Sequence, residues 1–337
     1  MPPSSPSLDA LRAAIDLELA RFLDERRAAL PDAGVLLDEI DRLVRAGGKR
    51  LRPSFCYWGY RAAGRPHGDA IVRAASSLEL LHTFAIVHDD VMDAADERRG
   101  EPTVHVVHDV NVALLVGDLA LVLADALFVG AGFAPGRVTD AFDAYSRMRQ
   151  EVIAGQYLDL VAAARSDVSE DEARWIAVLK SGRYTVEEPL AIGAALAGAA
   201  PPTRAALGRF GEPLGEAFQL RDDLLGTFGE RSSVGKPVDS DIREGKRHLL
   251  YAKTVALLDG RERDWFVRRW GAGDDLGDDD VARLRALIER SGARRDTEAL
   301  LAAQTGAACA ALDDAPVADG ARAALLELAR SATARAS

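Results

Sequence analysis

Cysteine is nearly absent: Cys56 and Cys309 are the only two in 337 residues. Two thiols build neither a disulfide framework nor a cysteine metal cluster. Asparagine occurs once, at Asn111, and lysine five times against 37 arginines. A basic excess is missing too. Lys and Arg number 42 against 53 Asp and Glu, a net charge of −11, which argues against nucleic acid as a partner. The opening MPPSSPS lacks the basic and apolar regions of a secretory leader, and no apolar run reads as long enough to span a membrane. A cytoplasmic protein is the expectation. Strand signals and internal repeats are also lacking.

What is present is helical. Apolar residues make up 48% of the chain, enough for a sizeable core in one large domain or two small ones. Residues 8–29 alternate apolar and charged positions at helical spacing, and helices are read over 110–130, 147–164, 174–197 and 210–228, with Pro189 expected to kink the fourth of these five. Residues 1–7 are expected to be a disordered tail.

The stretch 78–99 organises the rest. Leu78, Leu80, Leu81, Phe84, Ala85, Ile86 and Val87 are followed by Asp89, Asp90 and Asp93. At about 100° per residue, Asp89 and Asp93 share a helix face, with His82 two turns below them. A helix that is apolar for two turns and then presents carboxylates describes a greasy pocket with a charged mouth. Mg²⁺ typically takes one or two carboxylates plus substrate phosphates. A second DDxxD, Asp274, Asp275 and Asp278, reads differently. It lies in a Gly-rich stretch just ahead of a helix, where Asp residues cap and complement the dipole.

Other charged motifs answer the first acidic cluster. Gly47 to Pro53 reads GGKRLRP, a flexible break with Lys49, Arg50 and Arg52 at a helix start, which suits an anion or a solvated basic turn. Polar Glu151, Gln156, Asp159, Lys180, Ser181 and Thr185 sit on apolar helices and need partners. Gln219, Asp222 and Asp223 form a second acidic group in an apolar helix, followed by a Gly, Pro and Ser-rich loop with Lys236, Lys246 and Arg247. Four of the five lysines fall in these motifs. Where arginine has taken over ordinary surface charge, a retained lysine suggests a place for a compact point charge.

Taken in order, GGKRLRP, DDVMD (89–93), RRG (98–100), KSGRYT (180–185), QLRDDLLG (219–226), GK (235–236) and EGKR (244–247) resemble the trans-isoprenyl diphosphate synthases, the polyprenyl synthetase family. The resemblance implies a single all-α catalytic domain over residues 8–337, of the isoprenoid synthase fold with helices around a central cavity, in a homodimer. It implies that Asp89, Asp93 and Asp222, supported by Asp90 and Asp223, hold Mg²⁺, three ions once diphosphate is bound. Arg98, Lys180, Lys236 and Lys246 would hold the allylic diphosphate, and Lys49, Arg52, His82 and Arg99 isopentenyl diphosphate. The allylic cation would form near Lys180, Ser181 and Gln219, be attacked by the isopentenyl double bond, and lose a proton to the released diphosphate. Three positions depart from the pattern. Gly226 replaces a third Asp, Ser181 replaces the usual Thr, and His248 stands where Thr is common.

Two other functions compete with this one. A class I terpene cyclase needs a second motif led by Asn or Asp, with Ser or Thr four residues on and Glu eight on; Asn111 is followed there by Leu115 and Leu119. A non-catalytic partner subunit would have lost an acidic motif, and this chain keeps both. Product length is read from Leu81, Phe84 and Ala85. Ala85 lies one turn below Asp89 and Leu81 about one turn further, whereas wheel geometry alone discounts Phe84, five residues before Asp89. The resemblance counts both the fourth and fifth positions. An aromatic at the fifth and a small residue at the fourth looks like geranylgeranyl diphosphate synthases, although DDVMD lacks a two-residue insertion, which points the other way. The expectation is mainly C20, with C15 or longer products as alternatives.

Overall fold

The computed structural model describes residues 6–229 and 239–334, with every side chain there except that of Asp274. Met1 to Ser5 of the expected tail, and Lys236, therefore lie outside the described residues. The chain is 80% helical. Its helices are α1 (Leu8–Ala29), α2 (Gly34–Arg45), α3 (Leu51–Ala62), α4 (Asp69–Met92), α5 (Val104–Val107), α6 (Val110–Val129), α7 (Pro135–Ala163) and α8 (Glu170–Ala177). After a π-helix, Val178–Glu187, come α9 (Glu188–Ala197), α10 (Pro201–Phe228), α11 (Ser240–Glu244), α12 (Leu249–Leu257), α13 (Gly260–Arg269), α14 (Asp278–Ser291), α15 (Ala293–Ala310) and α16 (Asp319–Thr333).

Local rules account for these elements. In α1 the Ser7 hydroxyl accepts from the Ala10 N–H at 3.2 Å, and Leu11, Ile15, Leu19 and Phe22 recur at helical spacing on the buried face. Of the second DDxxD only Asp278 enters a helix: with Asp279 and Asp280 it occupies the first turn of α14, against the positive end of its dipole. Asp275 lies in a 3-10 turn (Gly273–Asp275) ahead of it, and the N-cap is Gly277, without a side-chain cap.

The chain divides into two compact units. The first comprises Met1–Tyr145, Glu188–Gly208 and Asp314–Leu328, the second Ser146–Glu187, Arg209–Asp313 and Ala329–Ser337. In the first unit α4 packs most extensively on α6, and α3 on α9, around a core that includes Tyr57, Trp58 and Phe128. The second unit has a core of Ile242, Leu250, Leu284 and Ile288, joined by the rings of Tyr251, Phe266 and Trp270, whose centroids lie 5.3–5.8 Å apart.

Three expectations change. The run read as one helix over 174–197 contains a ten-residue π-helix, which ends just ahead of Pro189 and its missing N–H donor. A strand pair exists after all: Glu97–Arg98 pairs antiparallel with Glu101–Pro102. By length and composition α4 and α6 are both apolar enough to cross a membrane, contrary to the reading of the sequence. Yet 72% of the α4 window and 44% of the α6 window are buried inside the fold, and the two helices pack on each other, so neither is a clear membrane span.

Candidate active site

In the first unit the acidic motif closes α4. Asp89 and Asp90 lie in the last turn and Asp93 is the C-cap. Carboxylates at the negative end of a helix dipole each cost about 0.3–1 kcal/mol unless a cation answers them. The helix ends in a Schellman turn: Ala95 N–H donates to Asp90 O at 2.9 Å and Ala94 N–H to Val91 O at 3.3 Å, with Ala94 held at φ 50°. This turn starts the chain back towards the RRG hairpin, whose two central residues, Arg99 and Gly100, both have positive φ (56° and 82°). That is the type I′ geometry that matches strand twist, and glycine adopts it without steric cost.

The hairpin delivers two arginines. Arg98 Nε donates to Asp90 Oδ1 at 2.6 Å, and its Nη2 lies 3.6 Å from Asp89 Oδ2. The Arg99 guanidinium donates to the Gly47 carbonyl and rests beside Gly48, joining RRG to the GGKRLRP turn. Arg50, at φ 49°, turns inward. It forms ion pairs with Glu79 at 2.7 Å and Asp16 at 2.8 Å and donates to Val44 O, so it anchors the turn rather than facing solvent. Three non-glycine residues in left-handed conformation, Arg50, Ala94 and Arg99, thus all lie in or beside these motifs. Arg52 is half-buried and Lys49 exposed. His82 is held well below the ordinary histidine range by burial and by Arg52, Arg99, Arg98 and Arg50, so a neutral imidazole stands among four guanidiniums. Arg52, His82 and Arg99 are therefore brought close together, a set of donors suited to a diphosphate.

Below Asp89, Leu81 is fully buried, Ala85 half-buried and Phe84 buried. The Phe84 ring meets His88 edge-on, centroids 4.9 Å apart. His88 Nε2 lies 3.2 Å from Leu114 O of α6.

The second unit carries the other motifs. Lys180 lies in the π-helix, where a Cβ at Gly155 of α7 would come within 2.5 Å of the Lys180 backbone nitrogen, so glycine permits this close approach. Lys180 Nζ is 2.7 Å from Asp159 Oδ2, and Lys246 Nζ is 3.8 Å from the same oxygen. Ser181 is half-buried beside Lys180. Asp222 and Asp223 lie towards the C-terminal end of α10, again the negative end of a dipole. Asp222 is half-exposed. Asp223 is buried, takes a hydrogen bond from Gln219 Nε2 at 2.6 Å, and leaves Oδ2 with no hydrogen-bond donor among the described residues. Burial, aided by Asp241 and Asp159 and opposed by His248 and Gln219, pushes its carboxyl up to about 6. Near neutral pH Asp223 is thus an anion that its surroundings disfavour, and a bound cation would stabilise it.

These residues fit a divalent cation held jointly with phosphate. Among the described residues no three His, Cys, Asp or Glu side chains group closely enough to hold a metal by themselves. Mg²⁺ keeps waters and takes substrate phosphates as ligands, so it does not need a closed cage of protein carboxylates. The sequence does not mark Asp159, Glu79 or Asp241 as site residues. Asp159 stands there only as a polar group on an apolar helix, and its pairing with Lys180, 21 residues away, has no sequence signature.

Helical architecture and two acidic clusters at helix ends, each beside fixed cations, define an isoprenoid synthase class of enzyme. The polyprenyl synthetase signature matches residues 34–285. A short chain isoprenyl diphosphate synthase of Methanothermobacter thermautotrophicus is 33% identical over 85% of this chain and 86% of its own. A (2E,6E)-farnesyl diphosphate synthase of Mycobacterium tuberculosis is 38% identical over 74% of this chain and 68% of its own. The crystal structure of a geranylgeranyl pyrophosphate synthase of Corynebacterium glutamicum, complexed with isoprenyl diphosphate and magnesium, superposes with a TM-score of 0.93 at 33% identity, covering 98% of this chain and 100% of that one. The chain belongs to the polyprenyl synthetase family and is a prenyltransferase, a trans-prenyl diphosphate synthase.

Proposed function

We propose that this enzyme makes geranylgeranyl diphosphate (C20) by adding isopentenyl diphosphate to allylic diphosphates, with residues 8–337 as its catalytic domain. Mg²⁺, three ions with diphosphate bound, supplies charge neutralisation at the departing diphosphate. Asp89, Asp93 and Asp222 hold it, and Asp90 and Asp223 support them. Arg98, Lys180, Lys236 and Lys246 bind the allylic diphosphate. Lys49, Arg52, His82 and Arg99 bind isopentenyl diphosphate, His82 as a neutral donor. Asp159 holds Lys180 and Lys246 in place, and the Ser181 hydroxyl and Gln219 amide face the allylic cation with their oxygen dipoles.

The observation that carries the C20 assignment is the pair Phe84 and Ala85 below Asp89. Ala85 leaves a path open, while the buried Phe84 ring, braced edge-on by His88, supports a floor. Phe84→Ala is expected to lengthen the product by opening space, and Ala85→Phe to shorten it towards C15. Chromatography of dephosphorylated products from wild type and both variants tests this. A wild-type C15 product, or unchanged lengths in both variants, would overturn the assignment.

The proposal includes a cytoplasmic homodimer. Val110, Leu114, Leu115, Val122 and Val129 form an exposed apolar face on α6, 42–62% accessible, which a second copy of the chain would cover. Sedimentation should show twice the 36.1 kDa chain mass; a monomer at micromolar concentration would contradict the dimer.

A further inference from the structure

We propose that Asp241 supplies the third carboxylate of the second acidic motif, standing in the place that Gly226 leaves open, and helps hold the cation that binds diphosphate. The inference rests on the prenyltransferase reading of this unit and goes beyond it in assigning Asp241.

Gly226 lies four residues after Asp222, one turn on along the same face of α10. A side chain there would stand beside Asp222. The space is taken: a Cβ built at 226 would overlap the Asp241 carboxylate, coming within 2.5 Å of its Cγ. Asp241 thus lays its acid group against the bare Cα of Gly226, and two carboxylates cannot share the position.

The residue is held there from several sides. It belongs to α11, whose Ile242 is fully buried in the core. Lys246 N–H donates to Asp241 O at 3.0 Å, and the adjacent Arg243 is clipped to Asp239 at 2.6 Å. His248 completes the arrangement. Its Nδ1 accepts from Tyr251 N–H at 3.4 Å, which leaves the proton on Nε2, 3.4 Å from Thr227 Oγ1 and 3.9 Å from Asp241 Oδ2. Two departures from the family pattern, Gly226 and His248, therefore belong to one arrangement: the glycine makes room for the relocated carboxylate, and the histidine presents an N–H towards it.

A separate observation points to a ligand. The neighbouring Asp223 is 3% exposed, and its Oδ2 has no hydrogen-bond donor among the described residues. Asp241 and Asp159 are the carboxylates close enough to disfavour its charge. A buried acceptor oxygen of this kind is completed by a cation rather than by further acids.

The test measures binding rather than turnover. Inorganic pyrophosphate is titrated calorimetrically into the full chain at saturating Mg²⁺, for wild type, Asp241→Asn, Asp241→Gly, Gly226→Asp and the Gly226→Asp/Asp241→Gly double variant. Each single change should weaken binding about tenfold to a hundredfold. The double variant, with its carboxylate moved back to 226, should return to within a few-fold of wild type. Thermal melts check folding, and if Gly226→Asp fails to fold, recovery of the fold in the double variant supports the shared position equally. Wild-type affinity in Asp241→Asn, or a double variant no better than Asp241→Gly, overturns the proposal. A wild type that binds no magnesium pyrophosphate at all, with or without these changes, would instead bring down the diphosphate reading on which it rests.

Discussion

Asp89→Ala and Asp222→Ala are each expected to lower kcat a hundredfold or more. Ionisation of an allylic diphosphate concentrates charge on the departing group, and removing one of the few groups that stabilise it should cost about 3 kcal/mol or more. The same substitutions should change the melting temperature little. The two carboxylates, 20% and 44% exposed, each sit at the unfavourable end of a helix and are answered by an arginine at 3.6 Å, Arg98 and Arg221 respectively. The dipole relief and the lost ion contact therefore offset each other. That combination separates a catalytic role from a structural one. Asp274→Ala, in the 3-10 turn ahead of α14, should be nearly silent. Steady-state kinetics with melting curves check all three. A crippled Asp274→Ala, or fully active Asp89→Ala and Asp222→Ala, would mean the acidic site is wrongly assigned.

Glu79→Ala should be the most damaging change to the fold, destabilising it by about 3–5 kcal/mol. Arg50 and Glu79 are 4% and 7% exposed and pair at 2.7 Å. Burial opposes the Arg50 charge, and Glu79 with Asp16 more than offsets it. Without Glu79 a guanidinium stays buried beside the half-exposed Asp16 and the neutral Val44 carbonyl. Replacing Arg50 as well, with Met, should recover much of the loss, since the uncompensated charge goes with it. Because Arg50 anchors the turn carrying Lys49 and Arg52, Glu79→Ala should also raise KM for isopentenyl diphosphate. Calorimetric melting and substrate titration give both values. A loss no greater than that of an exposed ion pair would show that this contact does not hold the turn.

Elements governed by local pattern were legible from residues alone. The stripe Leu11, Ile15, Leu19 and Phe22 marks α1, and the acid-rich first turn marks the start of α14. The acidic and basic motifs stood out because each is contiguous. What the sequence concealed depends on pairing across distance or on backbone geometry without a residue signature. Arg50 reads as one more cation in GGKRLRP, and only the fold brings Glu79, 29 residues later, to its guanidinium. RRG reads as a charge pair, although the hairpin that aims it rests on two residues per strand. The π-helix around Lys180 keeps ordinary helical periodicity on paper. Phe84, discounted by the helical wheel, lies buried against His88, whose own seat depends on α6. Gly226 looked like a lost ligand until the Asp241 carboxylate was found against it.

The most direct test is a single incubation series. The purified chain alone receives isopentenyl diphosphate with dimethylallyl, geranyl or farnesyl diphosphate, in Mg²⁺ and again with the metal chelated. Elongation of at least one primer to a mainly C20 diphosphate is expected in Mg²⁺, and none under chelation. No elongation of any primer by the chain alone, cyclised hydrocarbon in place of a linear diphosphate, or undiminished synthesis without metal would contradict the proposed function.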